Sequence, residues 1–358
     1  MPQRVTLIPG DGIGPEVSEA TRRVLDATGV LLEWEVVDLG AEGYAREGKP
    51  LLDAAIAAIR ASRVALKGPT STPAVKGFRS INLALRNELD LYAGIRPCKH
   101  FAGVPSPFPE TDVVIVRMNL EDLYAGIEYG HDSEEGARLR EFVRETRGIE
   151  LSPATAISLK PLSGPASQRV ARWAFEYARA NGRRKVTAVH KATVMRTTDG
   201  VFLEACRAVA GEYGDVDFDD RLVDSVCHQL VSHPADCDVL LTPIMYGDIL
   251  SDVGAGLVGG LGLAPGANVG DEAAVFEAVH GSAPRRAGQN RANPFALMLS
   301  GVMLLRHIGA DDAAARVERA IQAVIAEGTV TYDLKPSRDD PSAATTSAVA
   351  DAVIAKLA

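Results

Sequence analysis

The 358-residue chain is long enough for two domains or lobes, and 46% apolar with 24% charged is the composition of an ordinary folded protein rather than a disordered one. A formal net charge of −9, without a Lys/Arg block to offset it, argues against nucleic acid as a partner, so an anionic substrate must meet locally placed arginines. Cys98, Cys206, Cys227 and Cys237 lack CxxC or zinc-ligand spacing and read as reduced core residues; with no leader pattern before the first strand and no apolar run long enough for a bilayer, a cytoplasmic protein is expected.

Val5 to Ile8 predicts a short strand, followed by PGDGIGPEV and a helix over 16–28, with Pro15 suited to a first helical turn. Gly10, Gly12 and Gly14 lack the GxGxxG spacing of a dinucleotide loop, because Pro15 and Val17 stand where a third glycine is needed; they predict a strand-to-helix turn. A strand over 31–37, an Ala-rich helix over 51–61 and a buried strand over 64–67 continue the alternation, which implies a largely parallel α/β sheet. The next stretch, KGPTSTPAVKGFRSINLALRNELDLYAGIRPCK, sets Lys76, Arg79, Arg86 and Arg96 among small hydroxyl residues, with Arg86 opening a helical register. Guanidinium forks beside Ser and Thr suit a small polycarboxylate, with solvated surface arginine as the alternative.

DVVIVR predicts a buried strand over 112–117 that delivers Arg117, and Tyr124 in the following phrase is a candidate proton donor. Residues 129–150 are strongly charged and read as an exposed excursion, and 154–162 reads as a strand feeding a helix over 167–180. A strand over 185–189 delivers His190 and Lys191; helices over 199–212 and 224–232 flank the acidic stretch 215–224. Val239 to Thr242 is a strand ending at Pro243, and YGDILSD then sets Asp248 and Asp252 four residues apart, on one face of a helix. Two converging carboxylates repel unless a cation lies between them, and a hard divalent ion with oxygen ligands is the usual solution. The Gly-rich VGAGLVGGLGLAPGANVG that follows makes an ordinary solvated helix a poor alternative. In EAVHGSAPRRAGQNRANP, His280 and Asn293 suit a purine edge and Arg285 and Arg286 a phosphate, against the alternative of a structural loop. Helices over 295–308, 312–326 and 343–357 close the chain over the first domain.

LIPGDGIGPEV, LDLYAGIRP, EDLYAGIE, YGDILSD, GLGLAPGANVG, and HGSAP with NP about ten residues on, occur in one order and spacing along the whole chain. On these phrases the chain resembles the isocitrate and isopropylmalate dehydrogenases. The resemblance implies an α/β fold that is not a Rossmann fold, with a large discontinuous cofactor-binding domain over 1–91 and 259–358. It implies a small dimerisation and substrate domain over 92–258, including a clasp-like segment over about 122–163. SINLALR resembles the isocitrate branch, in which a Ser and an Asn two apart meet the substrate's γ-carboxylate. Ser80, Asn82, Arg86, Arg96 and Arg117 are thereby implied as substrate contacts, Tyr124 and Lys191 as the catalytic pair, and Asp224, Asp248 and Asp252 as ligands of Mg²⁺ or Mn²⁺. Lys191 and Asp224 would reach in from the second subunit of a homodimer. The cofactor would meet Lys67, Ser71, Thr72, Glu277, the loop residues His280, Gly281, Ser282, Ala283, Arg285 and Arg286, and beyond them Asn293 and Tyr332.

The implied reaction is metal-dependent oxidative decarboxylation of a 2-hydroxy tricarboxylate, D-isocitrate first, with reduction of NADP. NAD-using relatives carry an acidic residue where Arg285 stands, and Tyr332 matches a tyrosine of NADP-using members; Pro336 and His233 replace arginines of those members, which keeps NAD open. Met118, Leu120, Thr193 and Ile244 depart from the common isocitrate pattern. Loss of a carboxylate at 118 makes the local field more positive, which favours a more anionic isocitrate analogue such as 3-phosphonomethylmalate of phosphonate biosynthesis; homoisocitrate and isopropylmalate are further alternatives. A non-catalytic regulatory subunit is the alternative of another class, and the retained site residues argue against it.

Overall fold

Buried runs such as Val113 to Val116 and Val239 to Leu241 are apolar at every position because helices cover both faces of the sheet they enter. The computed structural model describes residues 2–41, 43, 45, 52–71 and 80–357. In chain order the elements are β1 (Gln3–Ile8), α1 (Gly14–Asp26), β2 (Leu32–Val36), α2 (Leu52–Ser62), β3 (Val64–Lys67), α3 (Ile81–Glu88), β4 (Ala93–Lys99), β5 (Asp112–Met118), β6 (Glu128–Tyr129), α4 (Glu134–Arg147), β7 (Ile157–Ser158) and α5 (Gly164–Ala180). They continue with β8 (Lys185–His190), α6 (Thr198–Ala210), β9 (Asp217–Leu222), α7 (Val223–Ser232), β10 (Val239–Thr242), α8 (Ile244–Leu257), β11 (Pro265–Val269), β12 (Ala274–Ala278), α9 (Phe295–His307), α10 (Asp311–Ala326) and α11 (Thr346–Ala355).

One ten-stranded sheet runs in the order β2-β1-β3-β12-β11-β4-β5-β10-β8-β9. Its two flanks are parallel, as the alternation of strands and helices predicts, but its centre is not: β11 lies antiparallel to both β12 and β4, and β4 to β5. Neither β4 nor β11 is evident from patterning, because Gly94, Pro97, Pro265 and Gly266 interrupt their apolar register. The acidic stretch 215–224 contains the edge strand β9, where charge is tolerated and discourages further pairing. The strand expected over 154–162 shrinks to Ile157–Ser158, paired with β6 at the base of the exposed α4. Arg86 lies in the last turn of α3 rather than at its start; the helix begins at Ile81, capped by Ser80, whose Oγ accepts from Leu83 N at 3.4 Å.

The glycine turn after β1 is a close approach rather than a nucleotide loop. Gly10 and Gly12 have φ of 81° and 62°, and a Cβ there would lie 2.2 Å from Pro69 O and 2.1 Å from Ser282 O. Glycine therefore lets the segments carrying Ser71 and Ser282 close on α1. Ser71 N donates to Asp11 Oδ2 at 2.6 Å, and Ile13 N donates to Ser282 O at 2.9 Å. Strand alternation then sends Arg96 and Asn268 to one face of the β4–β11 seam and Ile95, Pro97 and Val269 to the other. The four cysteines are free, three of them buried. Among the described residues no helix is long and apolar enough to cross a membrane.

Candidate active site

Asp248 is the point on which three segments converge. Pro243 turns buried β10 into α8, which carries Asp248 and Asp252 one turn apart beside the ends of β4 and β5. Arg96 Nη1 donates to Asp248 Oδ1 at 2.8 Å and to Ser251 Oγ at 2.6 Å; Arg117 Nη1, from a side chain only 1% exposed, donates to the same Asp248 oxygen. The Tyr124 hydroxyl donates to Asp248 Oδ2 at 2.6 Å. Burial pushes the Asp248 carboxyl up, but Arg117, Arg96 and the Tyr124 hydroxyl outweigh it and hold it at about 2. Burial lowers Arg117 to about 9, reinforced by Arg96 and Arg86 and opposed by Asp248, so this pocket has surplus positive charge to offer an anion. Tyr124 is pushed up by burial and then by Asp248, which keeps it protonated at neutral pH. Asp252 is raised by burial and by Asp248 against the pull of Arg96.

Tyr124 owes its place to a strained turn. Glu121, at φ 67° and ψ −153°, and Asp122, at φ 57°, hold conformations that favour glycine. The Glu121 carboxylate accepts from Ser163 N at 2.7 Å and Ser163 Oγ at 2.6 Å, which pins the turn to the start of α5.

Next to this cluster, Lys67 and Glu277 are register partners on β3 and β12, their ion pair 2.6 Å long and nearly closed to solvent. Burial raises Glu277, yet Lys67, Arg86 and the hydrogen bond from Asn268 bring it down to about 2. Arg86, lowered by burial against Glu277, donates from Nε to Asn268 Oδ1 at 3.0 Å, and Asn119 Nδ2 donates to the same oxygen at 2.9 Å. Asn119 and Asn268 escape sequence reasoning because one is a lone amide just past apolar β5 and the other a lone amide inside β11. Asn82 lies within reach of this site, accepting from Thr70 Oγ1 at 3.2 Å, and Ser80 stands exposed at the helix cap.

Around the expected cofactor segments, Ser71 Oγ and Ser282 Oγ meet at 2.6 Å, and Ala283 takes a left-handed turn at φ 38°. Gly281 and Ser282 bring His280 over Lys67 and Arg86; its Nε2 is buried without a hydrogen-bond partner among the described residues. Arg286 stacks over the Tyr332 ring with 4.5 Å from guanidinium carbon to centroid, Arg291 joins it at 5.2 Å, and Arg285 stands exposed beside them. Arg291 was not singled out by its sequence context. The Asn293 amide donates to Asp333 Oδ2 at 2.9 Å and accepts from Phe295 N at 3.0 Å, which fixes its orientation and leaves one N–H and one carbonyl lone pair for a ligand. Thr72, Lys76 and Arg79 lie outside the described residues.

Lys191 and Asp224 are not brought to Asp248. They form an ion pair with each other, from the exit of β8 and the start of α7, and no hydrogen bond or ion pair among the described residues joins them to Asp248 or Asp252. Accordingly no group of three or more His, Cys, Asp or Glu positioned for a metal occurs among the described residues. Asp248 and Asp252 remain an all-oxygen pair, one held ionised, which fits a hard divalent ion that would take its further ligands from elsewhere. The orphaned His280 Nε2 and the paired arginines at Tyr332 likewise fit a phosphorylated dinucleotide. Of the four departures, Ile244 is fully buried, Thr193 is exposed and Leu120 half-buried. Met118 faces the apolar core with Val114 and Val116, the opposite strand face from Arg117, so its side chain does not point to where Arg117 meets Asp248. A cavity of about 800 Å³ lies behind the seam against Trp173, Phe276 and Met303 and is lined by none of the expected site residues.

A family model for isocitrate/isopropylmalate dehydrogenase matches residues 4–353. The chain belongs to this family. It is a decarboxylating, NAD(P)-dependent dehydrogenase whose family requires a divalent metal ion and acts on small polycarboxylates. A probable mitochondrial isocitrate dehydrogenase (NAD) subunit alpha from Caenorhabditis elegans is 46% identical over 330 residues, spanning 91% of this chain and 86% of that protein. A regulatory subunit of mitochondrial isocitrate dehydrogenase (NAD) from Dictyostelium discoideum is 43% identical over 333 residues, 92% and 85% of the two chains. Among solved structures, the isocitrate dehydrogenase from Methylococcus capsulatus superposes with a TM-score of 0.89 at 44% identity, covering 99% of each chain.

Proposed function

We propose that this family member converts D-isocitrate to 2-oxoglutarate and CO₂ with reduction of NADP, in a homodimer whose active sites are shared. The convergence of Arg96, Arg117 and Tyr124 on Asp248, with Arg86 alongside, is the observation that carries this reading. Arg86, Arg96 and Arg117 bind the substrate carboxylates, and Asn82 with Ser80 meets the γ-carboxylate. A divalent ion bound by Asp248 and Asp252, with the second subunit's Asp224, would lower the pKa of the 2-hydroxyl and offset the charge that develops as CO₂ leaves. Tyr124, kept protonated by its surroundings, delivers a proton to the carbon that loses CO₂, and Lys191 of the second subunit assists it.

The sheet order supports a division at 91/92 and 258/259, since β2, β1, β3, β12 and β11 lie together and β4, β5, β10, β8 and β9 lie together. Exposed apolar Val231 on α7 and Ile249 on α8 support the dimer. The arginines around Tyr332 support NADP, because an acidic residue there would repel a 2′-phosphate. NAD is the second reading, favoured by the two relatives named for it and by Pro336 and His233. The cytoplasm remains the expected location, and the mitochondrial names of those relatives weigh against it.

With Mg²⁺ and NADP, the absorbance of reduced nicotinamide should rise fastest with D-isocitrate among D-isocitrate, 3-phosphonomethylmalate, homoisocitrate, 3-isopropylmalate and D-malate. A faster rate with the phosphonate would transfer the site to that analogue. Silence with every acid and both cofactors would favour the regulatory-subunit reading.

A further inference from the structure

Asp199, at the start of α6, is fully buried and uses both carboxylate oxygens. Oδ1 accepts from Lys160 Nζ at 2.5 Å; Oδ2 accepts from the backbone N–H of Lys191 at 2.7 Å and from the Tyr246 hydroxyl at 3.0 Å. The Lys160 ammonium also lies 4.8 Å from the Tyr246 ring centroid, which encloses the charge pair. On its other side the Lys191 carbonyl accepts from Val194 N and Met195 N, both at 2.9 Å. The backbone of Lys191 is therefore clamped from both directions, and the clamp on its N–H is a buried charge rather than a neighbouring peptide. A charge-assisted hydrogen bond in so enclosed a place is strong and sharply directional.

The geometry points to Asp199 as a positioning residue that sets the place of Lys191. It touches no reacting atom; it fixes the chain from which the lysine side chain extends, while Lys160 pairs with its other oxygen and Tyr246 ties it to α8. This role for Asp199 rests on the proposed work of Lys191 in the second subunit's site.

The test removes the Lys160–Asp199 charge pair before it removes the acceptor, and buried Asp122, 3.9 Å from Lys160, loses that partner equally in both double variants. With Lys160→Met in place, an asparagine at 199 has no ammonium to serve, and its amide oxygen can still accept from Lys191 N–H; an alanine cannot. K160M/D199N should keep kcat within about 3-fold of wild type, whereas K160M/D199A should lose about 30-fold in kcat with the isocitrate KM moved by less than about 3-fold. Equal kcat in the two double variants would overturn the role.

Mixed dimers separate positioning from general damage. Paired with a Tyr124→Phe chain, the K160M/D199A chain forms one live site that takes Lys191 from its intact neighbour, and that site should run at the wild-type rate. Paired with a Lys191→Met chain, the live site takes Lys191 from the K160M/D199A chain and should stay slow. Slow turnover in both mixtures would mean that Asp199 is only structural. A separate mixture of Tyr124→Phe and Lys191→Met chains regenerates one working site only when Lys191 acts across the dimer; no recovery there would sink the shared-site reading on its own, and the comparison of the two double variants would still stand.

Discussion

Tyr124 and Asp248 are joined by a 2.6 Å hydrogen bond from the phenol to Oδ2, while Arg96 and Arg117 occupy the other carboxylate oxygen. The proposed proton donor and the proposed metal-binding carboxylate thus share one hydrogen bond. Tyr124→Phe keeps the ring under Arg117, 5.6 Å away, and removes the hydroxyl together with its hydrogen bond to Asp248. It should lower kcat by about 100-fold or more while the isocitrate KM stays within a few-fold, since general acid catalysis contributes on that order. A KM effect without a kcat effect would make Tyr124 a binding residue.

Acid should unfold the protein through Asp248 and Glu277. Burial raises both carboxyls, but Arg117 and Arg96 for Asp248, and Lys67 and Arg86 for Glu277, bring each to about 2. Both folded values lie below the unfolded ones, roughly 3.9 for Asp and 4.3 for Glu, so the stability they contribute is complete above those values and is lost as pH falls toward 2. Glu277→Gln should flatten the loss below about pH 4, as read from denaturant midpoints at stepped pH. The same variant strands Lys67, whose side chain is 2% exposed, and should cost about 3 kcal/mol at neutral pH.

Arg286 over Tyr332 is expected to select the cofactor. Arg286→Glu should raise the NADP KM by about 30-fold or more, because a bidentate partner of the 2′-phosphate is replaced by a like charge, and should leave the NAD KM nearly unchanged. Equal effects on both cofactors would remove Arg286 from the 2′-phosphate.

Met118 tests which residues reach the substrate. Facing the apolar core, Met118→Glu should cost about 2 kcal/mol or more as a buried carboxylate and leave the isocitrate KM and the order of substrate preference unchanged. A changed preference would return position 118 to the substrate site.

Much of the scaffold is legible where period and punctuation agree: β3 and β10 have the bounds their apolar runs predict, and Asp248 and Asp252 lie on a helix after Pro243. β4 and β11 are hidden because antiparallel strands at the seam carry Gly and Pro at the places where apolar side chains would advertise them. The opposite facing of Arg117 and Met118 follows from the period of two along β5, yet expectation set both at the active site. Bonds such as Asn119 to Asn268 and Lys160 to Asp199 join residues 149 and 39 positions apart, and nothing local announces them. The clamp on Lys191 is local in its bonds, from Asp199, Val194 and Met195, and only its supports Lys160 and Tyr246 are brought in by topology.

The most direct measurement is the initial rate of nicotinamide reduction with D-isocitrate and NADP, taken with Mg²⁺, after chelation by EDTA, and after Mg²⁺ is restored. Turnover that vanishes on chelation, returns with the ion and exceeds the rate with NAD is the predicted result. Turnover indifferent to chelation, or no reduction of either cofactor by isocitrate, would contradict a metal-dependent isocitrate dehydrogenase built around Asp248.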